Sequence, residues 1–452
     1  MAATPPRIAV VGGGIAGTLA SLVLRNRGAI PVIIDQGQDV GGRLRGVARS
    51  KIGGSLDAGA QFLRASDSRL QPVWHMLAQQ GLLAPWKGRF GMLGNQGGGF
   101  LPASIVGQST AAGMRKQHPS DSGNKEDQAG DGEAIGASSP TDSGDFCGFV
   151  TNFTDDKLSS TYVAVPSNES LCPNICQMAT IEQISSTTVL GARTNPEGGW
   201  ILNVDGDMQS GDLPFDALVL ASHDPSLAAN AVDSIIQAEK MAIKDASSDD
   251  DDDAHSQLLE RLDNLVSDLR RTRNAKQPVF SWSGRFPTAL TQSLDFDAAS
   301  VPGSHVVQFV ARESSKPQYQ FSKGGDETEI WTAISTSALA QDILKQHSGK
   351  EAGEAATSIM NQAVSQLLFP NEANLVLPQD ASAVRWGAAF TSPTLGLKED
   401  SIFLNPWRLA IAGDFISDAY PSPLEAAALS GLEAGERVAA MFQAMGSIPT
   451  QQ

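Results

Sequence analysis

Cysteine is scarce in this chain: three residues in 452, at Cys147, Cys172 and Cys176. An odd handful of thiols builds no disulfide framework and fits a reducing compartment. A cytoplasmic location is expected, with an organelle left open because Met1 to Pro6 is too short to read as a transit peptide. Cys172 and Cys176 are spaced CxxxC with no histidine or second cysteine pair beside them, which argues for packing rather than zinc ligation, so no metal is expected. Positive charge is also short. Lys and Arg number 33 against 50 Asp and Glu, giving a net charge of -17 and a pI near 4.7. That field repels phosphate backbones and anionic headgroups, which excludes nucleic acid and membrane surfaces as first partners and favours small-molecule chemistry. Long apolar runs are missing as well. The one candidate, Ile8 to Leu24, is broken by Gly12, Gly13 and Gly14, which suit a phosphate-binding turn and not a membrane-inserting helix.

What is present is a chain long enough, at 41% apolar residues, to bury a full core in two structural units. Arg7 to Gly12 reads as a short buried strand, a β-branched run ended by glycine. Ile15, Leu19, Leu22 and Val23 then follow at helical spacing until Gly28, and Pro31 to Asp35 reads as a second buried strand. Strand, helix and strand in this order make a βαβ unit with parallel strands. Further on, Ala179–Ile184, Thr187–Ala192, Trp200–Val204 and Phe215–Ser222 read as a meander leading into a buried strand. Arg408 to Gly413 reads as another buried strand. Two polar stretches, near 115–145 and 245–255, hold too few large apolar residues to order themselves by burial and read as disordered insertions. The acidic run Asp249 to Asp253 lacks the alternating ligands and turn glycine of a calcium loop.

The chemistry lies at the two ends. Gly12, Gly14 and Gly17 form G-x-G-x-x-G between the first strand and its helix. The first glycine permits the turn, the second lets backbone approach a pyrophosphate, and the third lets helix pack on strand. Ile15 and Ala16 begin the helix, whose unpaired N–H groups and positive dipole end face the phosphates. Asp35, at the end of the second strand, is placed to accept hydrogen bonds from ribose hydroxyls. Gly41, Gly42 and Arg43 follow, with a planar cationic fork suited to pyrophosphate. Gly59, Ala60 and Gln61, within Asp57 to Phe62, offer small residues for close packing on a flat ring. At the far end, Gly413 and Asp414 close a buried strand where α/β sheets bind ligands, and Asp414 can accept from ribityl or ribose hydroxyls. Ser422, Pro423, Leu424 and Glu425 read as a capping box with proline at the first helical position. Ala426, Ala427 and Ala428 make that helix start bare enough to approach a ring, where its dipole would stabilise negative charge on a reduced flavin.

With these residues, Val10 to Phe62 and Ala412 to Gly431 resemble the flavin amine oxidase superfamily, and within it the renalase-like FAD/NAD(P)-binding oxidoreductases. Tyr162–Pro166, Phe215–Ala221, Arg312–Pro317 and Arg385-Trp386 fall in the family's order. The resemblance implies an α/β fold: a Rossmann-like FAD-binding domain with a β-meander, from residues 1–85, 166–225 and 405–452, and an α+β substrate domain with a mixed sheet, from 86–165 and 226–404. It implies hydride transfer from a carbon beside nitrogen to flavin N5, with O2 as reoxidant. The implied substrates are reduced nicotinamides, NAD(P)H or an isomer, in the renalase-like group and amines in the amine oxidases; a third reading is a flavin-binding protein without turnover, with the fold used as a scaffold. The sequence departs from the pattern at Ser167–Glu169, at Ser222–Asp224 and at Gln318–Gln320, which bears on the substrate rather than on the FAD site.

Hydride transfer to flavin needs position and a dry face more than an acid or base. By resemblance, Lys316 is a candidate to hold a water near N5; the alternative is a solvated loop lysine. Trp386 and Tyr420 can flank a planar or cationic substrate, or equally be core packing. His223 reads as structural. No cysteine follows Cys176, so attachment of flavin through a C-terminal cysteine is excluded and the FAD is expected to be non-covalent.

Overall fold

The computed structural model describes residues 4–49, 54–94, 99–103, 161–206, 211–245, 252–317, 327–420 and 422–448. The polar stretch at 115–145, Cys147 and Gln318–Gln320 lie outside the described residues.

Apolar strands that alternate their side chains between two faces need cover on both, and the first sheet has it. Its six strands run in the order Ile402–Leu404, Leu409–Ile411, Ala217–Leu220, Arg7–Val11, Ile30–Ile34, Glu182–Ile184. All neighbours are parallel except the outermost pair, Ile402–Leu404 on Leu409–Ile411. The crossover between Arg7–Val11 and Ile30–Ile34 is the helix Ile15–Asn26, as the spacing of its apolar residues requires. On one face Ile8, Val10 and Ile33 pack with that helix and with the C-terminal helix Pro423–Ala444. On the other, Ala9, Val11, Val32 and Ile34 meet Trp200 and Leu202 of the meander. The meander is the antiparallel set Thr187–Thr194, Trp200–Gly206, Gly211–Phe215.

A second, seven-stranded sheet runs in the order Gln379–Thr391, Lys276–Pro287, Thr328–Ser335, Val307–Arg312, Ala298–Ser300, Phe90–Leu93, Phe100–Pro102. It is mixed: only Ala298–Ser300 against Phe90–Leu93 is parallel. One core beneath it gathers Trp282, Trp331 and Met360, and another gathers Phe62, Trp86, Phe90 and Phe309. The α/β class, the Rossmann-like unit, the meander and the mixed second sheet are therefore all present.

Two details differ from the sequence expectation. The helices Ser226–Asp245 and Asp252–Arg273, assigned to the second unit, bury Ala228, Val232, Ile235, Val266 and Leu269 in the core of the first sheet. Their apolar stripes fit the face that the meander leaves open, so the core crosses the expected boundary at residue 225. Of the stretch near 245–255, a helix already runs from Asp252, while residues 246–251 lie outside the described residues.

Candidate cofactor site

The glycine turn sits at the carboxyl ends of the parallel strands, where the sequence placed it. Gly12 takes a φ of 104°, and a Cβ there would lie 2.7 Å from the Ala221 carbonyl oxygen. A Cβ on Gly17 would come within 1.9 Å of the Gly12 oxygen, so only glycine lets this helix start against this strand. Gly14 is the N-cap of the helix and offers no side chain to its free N–H groups. Opposite stands Gly42, with a φ of 53°, where a Cβ would reach 3.0 Å from the Gly14 Cα. The Gly41 N–H donates to the Gly13 oxygen at 2.8 Å and holds the two glycine turns together. Asp35 braces them: its Oδ2 accepts from the Gly13 N–H at 2.6 Å and its Oδ1 from the Gly37 N–H at 2.7 Å. Each oxygen keeps a lone pair for a hydroxyl.

Arg43 and Asp414, far apart in sequence and expected to act separately, meet. Arg43 Nη1 and Nη2 donate to the two Asp414 oxygens at 2.6 and 2.7 Å, and Nη1 also donates to the Ala389 carbonyl at 3.2 Å. This fork is planar and bidentate, and the Asp414 side chain is almost wholly buried while that of Arg43 is 29% exposed. Behind it, the Arg43 carbonyl accepts from the Ala60 N–H at 3.0 Å, and a Cβ on Gly59 would lie 1.9 Å from that oxygen. Gly59, Ala60 and Arg43 thus form one tight backbone crossing. The Gly413 N–H donates to Ser430 Oγ of the C-terminal helix at 2.8 Å.

That helix begins at Pro423 with Ser422 as N-cap, as read from the sequence. The capping box does not form. Ser422 makes no side-chain cap, and buried Glu425 instead accepts from the Asp67 N–H at 2.8 Å and from Ser66 Oγ at 2.9 Å. The loop at 66–67 packs against the helix start and offers stronger-placed donors than the Ser422 backbone. Burial pushes the Glu425 carboxyl up, against those donors. The small residues have a second use: a Cβ on Gly431 would lie 2.1 Å from the Ala16 carbonyl, so the bare face serves helix-helix contact with the first helix.

Lys316 is not a solvated loop lysine. Its side chain has no exposure, and its ammonium lies 2.8 Å from Glu313 Oε1, 3.4 Å from Asp57 Oδ2 and 3.3 Å from Gln61 Oε1. Burial alone would lower its pKa; Glu313 and Asp57 beside it outweigh burial and raise it. Thr332 Oγ1 closes the cluster at 2.7 Å from Glu313 Oε1 and 3.1 Å from Gln61 Oε1. The Gln61 amide nitrogen donates to the Asp57 and Gly59 carbonyls, which ties the cluster to the Gly59 crossing. Asp57, Glu313 and Thr332 were not singled out from the sequence, although Asp57 and Glu313 lie in the quoted motifs; a carboxylate three residues before a lysine was the available signal.

Trp386 and Tyr420 pack against different clusters. Trp386 packs on the aromatic core of Phe62, Trp86 and Phe309, whereas Tyr420 packs on the core beneath the first sheet. The Tyr420 hydroxyl donates to Asp400 Oδ1 at 2.6 Å and accepts from Arg69 at 2.6 Å. Burial, then the Asp400 hydrogen bond, pushes its pKa to about 12. A hydroxyl so engaged bridges Arg69 and Asp400. The His223 carbonyl accepts from the Lys276 ammonium, in keeping with a structural part. Cys172 and Cys176 are buried, and burial pushes both thiols up to about 12. Among the described residues no helix is long and apolar enough to cross a membrane.

The profile of the NAD(P)-binding Rossmann-like domain family matches residues 10–79. No curated protein matches the sequence. Among solved structures, a double mutant from a structure-based redesign of cofactor binding in putrescine oxidase superimposes with a TM-score of 0.60 at 14% identity, covering 96% of this chain and 99% of that one. Cyclohexylamine oxidase from Brevibacterium oxydans IH-35A gives 0.57 at 12% identity, covering 97% and 100%. An oxidoreductase from Methanosarcina mazei gives 0.56 at 12% identity, covering 95% and 100%. At these identities the likeness establishes a shared fold over nearly the whole chain.

Proposed function

We propose that this chain is an FAD-dependent oxidoreductase that binds its flavin non-covalently and oxidises a small nitrogen-containing substrate. The observation that carries the reading is the meeting of the chain's two ends: Arg43 and Asp414 form a bidentate pair beside the Gly12–Gly17 turn, at the carboxyl edge of a parallel sheet. Gly14 and Gly42 pack backbone on backbone, so no side chain screens the helix N-terminus beside them from an approaching pyrophosphate. In this reading the N-terminal N–H groups of the helix at Ile15 and Ala16 and the outer edge of Arg43 hold the phosphates. Asp35 and Asp414 take sugar and ribityl hydroxyls, and Gly59, Ala60 and Gln61 back the ring. The start of the C-terminal helix at Leu424 to Ala426 directs its dipole at the ring. When bound, FAD supplies the hydride acceptor. The protein's own part is to hold donor carbon and acceptor in contact and to keep water out.

The substrate class favoured is a reduced nicotinamide, NAD(P)H or an isomer, with O2 as reoxidant, in line with the renalase-like resemblance. The alternative, oxidation of a small amine, draws support from the shared fold with putrescine and cyclohexylamine oxidases. Anaerobic mixing separates the two. Bleaching of the bound flavin by dihydronicotinamides and not by putrescine or cyclohexylamine is expected; bleaching by the amines alone would reverse the assignment.

A further inference from the structure

The loop after the buried strand Ala217–Leu220 lies directly against the glycine turn. A Cβ on Gly12 would stand 2.7 Å from the Ala221 oxygen and 3.0 Å from the Ser222 nitrogen. The carbonyl of His223, the next residue, accepts from the ammonium of Lys276. Lys276 opens the strand Lys276–Pro287 of the second sheet, so a cation carried by one sheet reaches the carboxyl edge of the other.

The register of the second sheet fixes where this cation stands. Lys276 is the partner of Thr391, two residues beyond Ala389, whose carbonyl accepts from Arg43 Nη1 at 3.2 Å. The Ser392 N–H donates to the Ala275 carbonyl at 2.8 Å and secures that strand end. Arg43 and Lys276 thus converge on one strand end beside Gly12 and Gly42.

Their charges are differently met. Arg43 is matched by Asp414 in a bidentate pair. Lys276 is half-buried, and among the described residues its one hydrogen bond goes to a neutral carbonyl, with no carboxylate in contact. Burial lowers its pKa; Asp224 and Asp414 oppose this, and Arg43 adds to it. Two of its three N–H donors remain for solvent or a ligand. A dinucleotide pyrophosphate carries a negative charge on each phosphate, whereas a helix N-terminus offers only about half a unit of positive charge.

We propose that Lys276 is a cofactor-binding residue whose ammonium donates to the pyrophosphate of the bound dinucleotide. It brings a full positive charge from the second sheet to a site whose other phosphate-binding groups belong to the first unit. Binding of the cofactor would then tie the two sheets together. The inference rests on the reading of the Gly12–Gly17 turn as a dinucleotide site and adds a residue that this reading does not include.

Calorimetric titration of the full chain, freed of flavin, with FAD, ADP and adenosine tests it, because adenosine lacks the diphosphate. The wild type is expected to bind ADP more tightly than adenosine. K276M should weaken ADP and FAD about tenfold each, the worth of one charge-assisted hydrogen bond, and leave adenosine unchanged. K276R should recover much of the loss, and K276Q, which keeps a donor for the His223 carbonyl, replaces K276M if that variant fails to fold. R273Q removes a neighbouring exposed cation that faces Asp224 at 4.0 Å, and should bind all three ligands as the wild type does. The inference is overturned, with the dinucleotide reading intact, if K276M binds ADP and FAD as the wild type does, loses adenosine in equal measure, or is matched by R273Q. A wild type that binds neither ADP nor FAD overturns that reading and the inference with it.

Discussion

Replacing Gly59 by alanine puts the backbone crossing at the centre of the candidate site under a defined load. The new Cβ would stand 1.9 Å from the Arg43 carbonyl oxygen and 2.9 Å from its carbon, with the Arg45 oxygen at 3.4 Å. These are backbone atoms, so no flexible side chain can yield. Reaching ordinary contact requires the two segments to part by about 1.5 Å, which strains the 3.0 Å hydrogen bond from Ala60 to Arg43. Overpacking of this kind costs about 1–3 kcal/mol, and the weakened hydrogen bond adds about 1 kcal/mol. A loss of about 2–4 kcal/mol is therefore expected in urea unfolding, with no change in slope. Because the shift moves Arg43 against Asp414, FAD affinity should fall about tenfold or more, read by quenching of flavin fluorescence on titration. A G59A protein with wild-type stability and flavin affinity would refute the reasoning.

Three further outcomes follow from the geometry. G431A drives a methyl into the Ala16 carbonyl at 2.1 Å and should lower stability by about 1–3 kcal/mol, whereas G191A, with nothing within 4 Å, should stay within about 0.5 kcal/mol; thermal or urea unfolding of the pair checks both. K316M removes the cation between two buried carboxyls and should cost about 3–5 kcal/mol in chemical denaturation; a neutral effect would mean that the pairs with Glu313 and Asp57 contribute nothing. Tyr420 is held neutral in the fold, with its pKa raised from 10.0 to about 12. The folded state thus keeps a proton that the unfolded chain releases, so this stabilisation is complete below pH 10 and is lost as pH rises toward 12. Y420F should flatten the fall in stability across that window, measured by denaturant midpoints at several pH values.

The parts of this molecule that were legible in its sequence are those written in local spacing. The run Arg7 to Gly12, the helical recurrence from Ile15 and the buried Pro31 to Asp35 declare a βαβ unit, because each buries a face whose period is set by its own backbone. The glycines were legible for the same reason: Gly12 and Gly17 are demanded by atoms within a dozen residues or by the adjoining strand. What escaped was pairing at a distance. Nothing near Arg43 announces Asp414, and nothing near Glu425 announces the donors at Ser66 and Asp67, so a local capping box looked sufficient. Lys316 sits in a polar run that reads as surface; its burial is imposed by the turn at Asp57 and by Thr332 of the neighbouring strand. Helices Ser226–Asp245 and Asp252–Arg273 have apolar stripes that name no partner, and only the open face of the first sheet decides where they lie.

The central claim is that the two ends of the chain together hold FAD. The absorption spectrum of the purified full chain, incubated with FAD and freed of excess, tests this most directly, followed by denaturation and identification of the released chromophore. The expected result is a yellow protein with one FAD per chain, released intact on unfolding. A folded protein that stays colourless and takes up no added FAD would contradict the account.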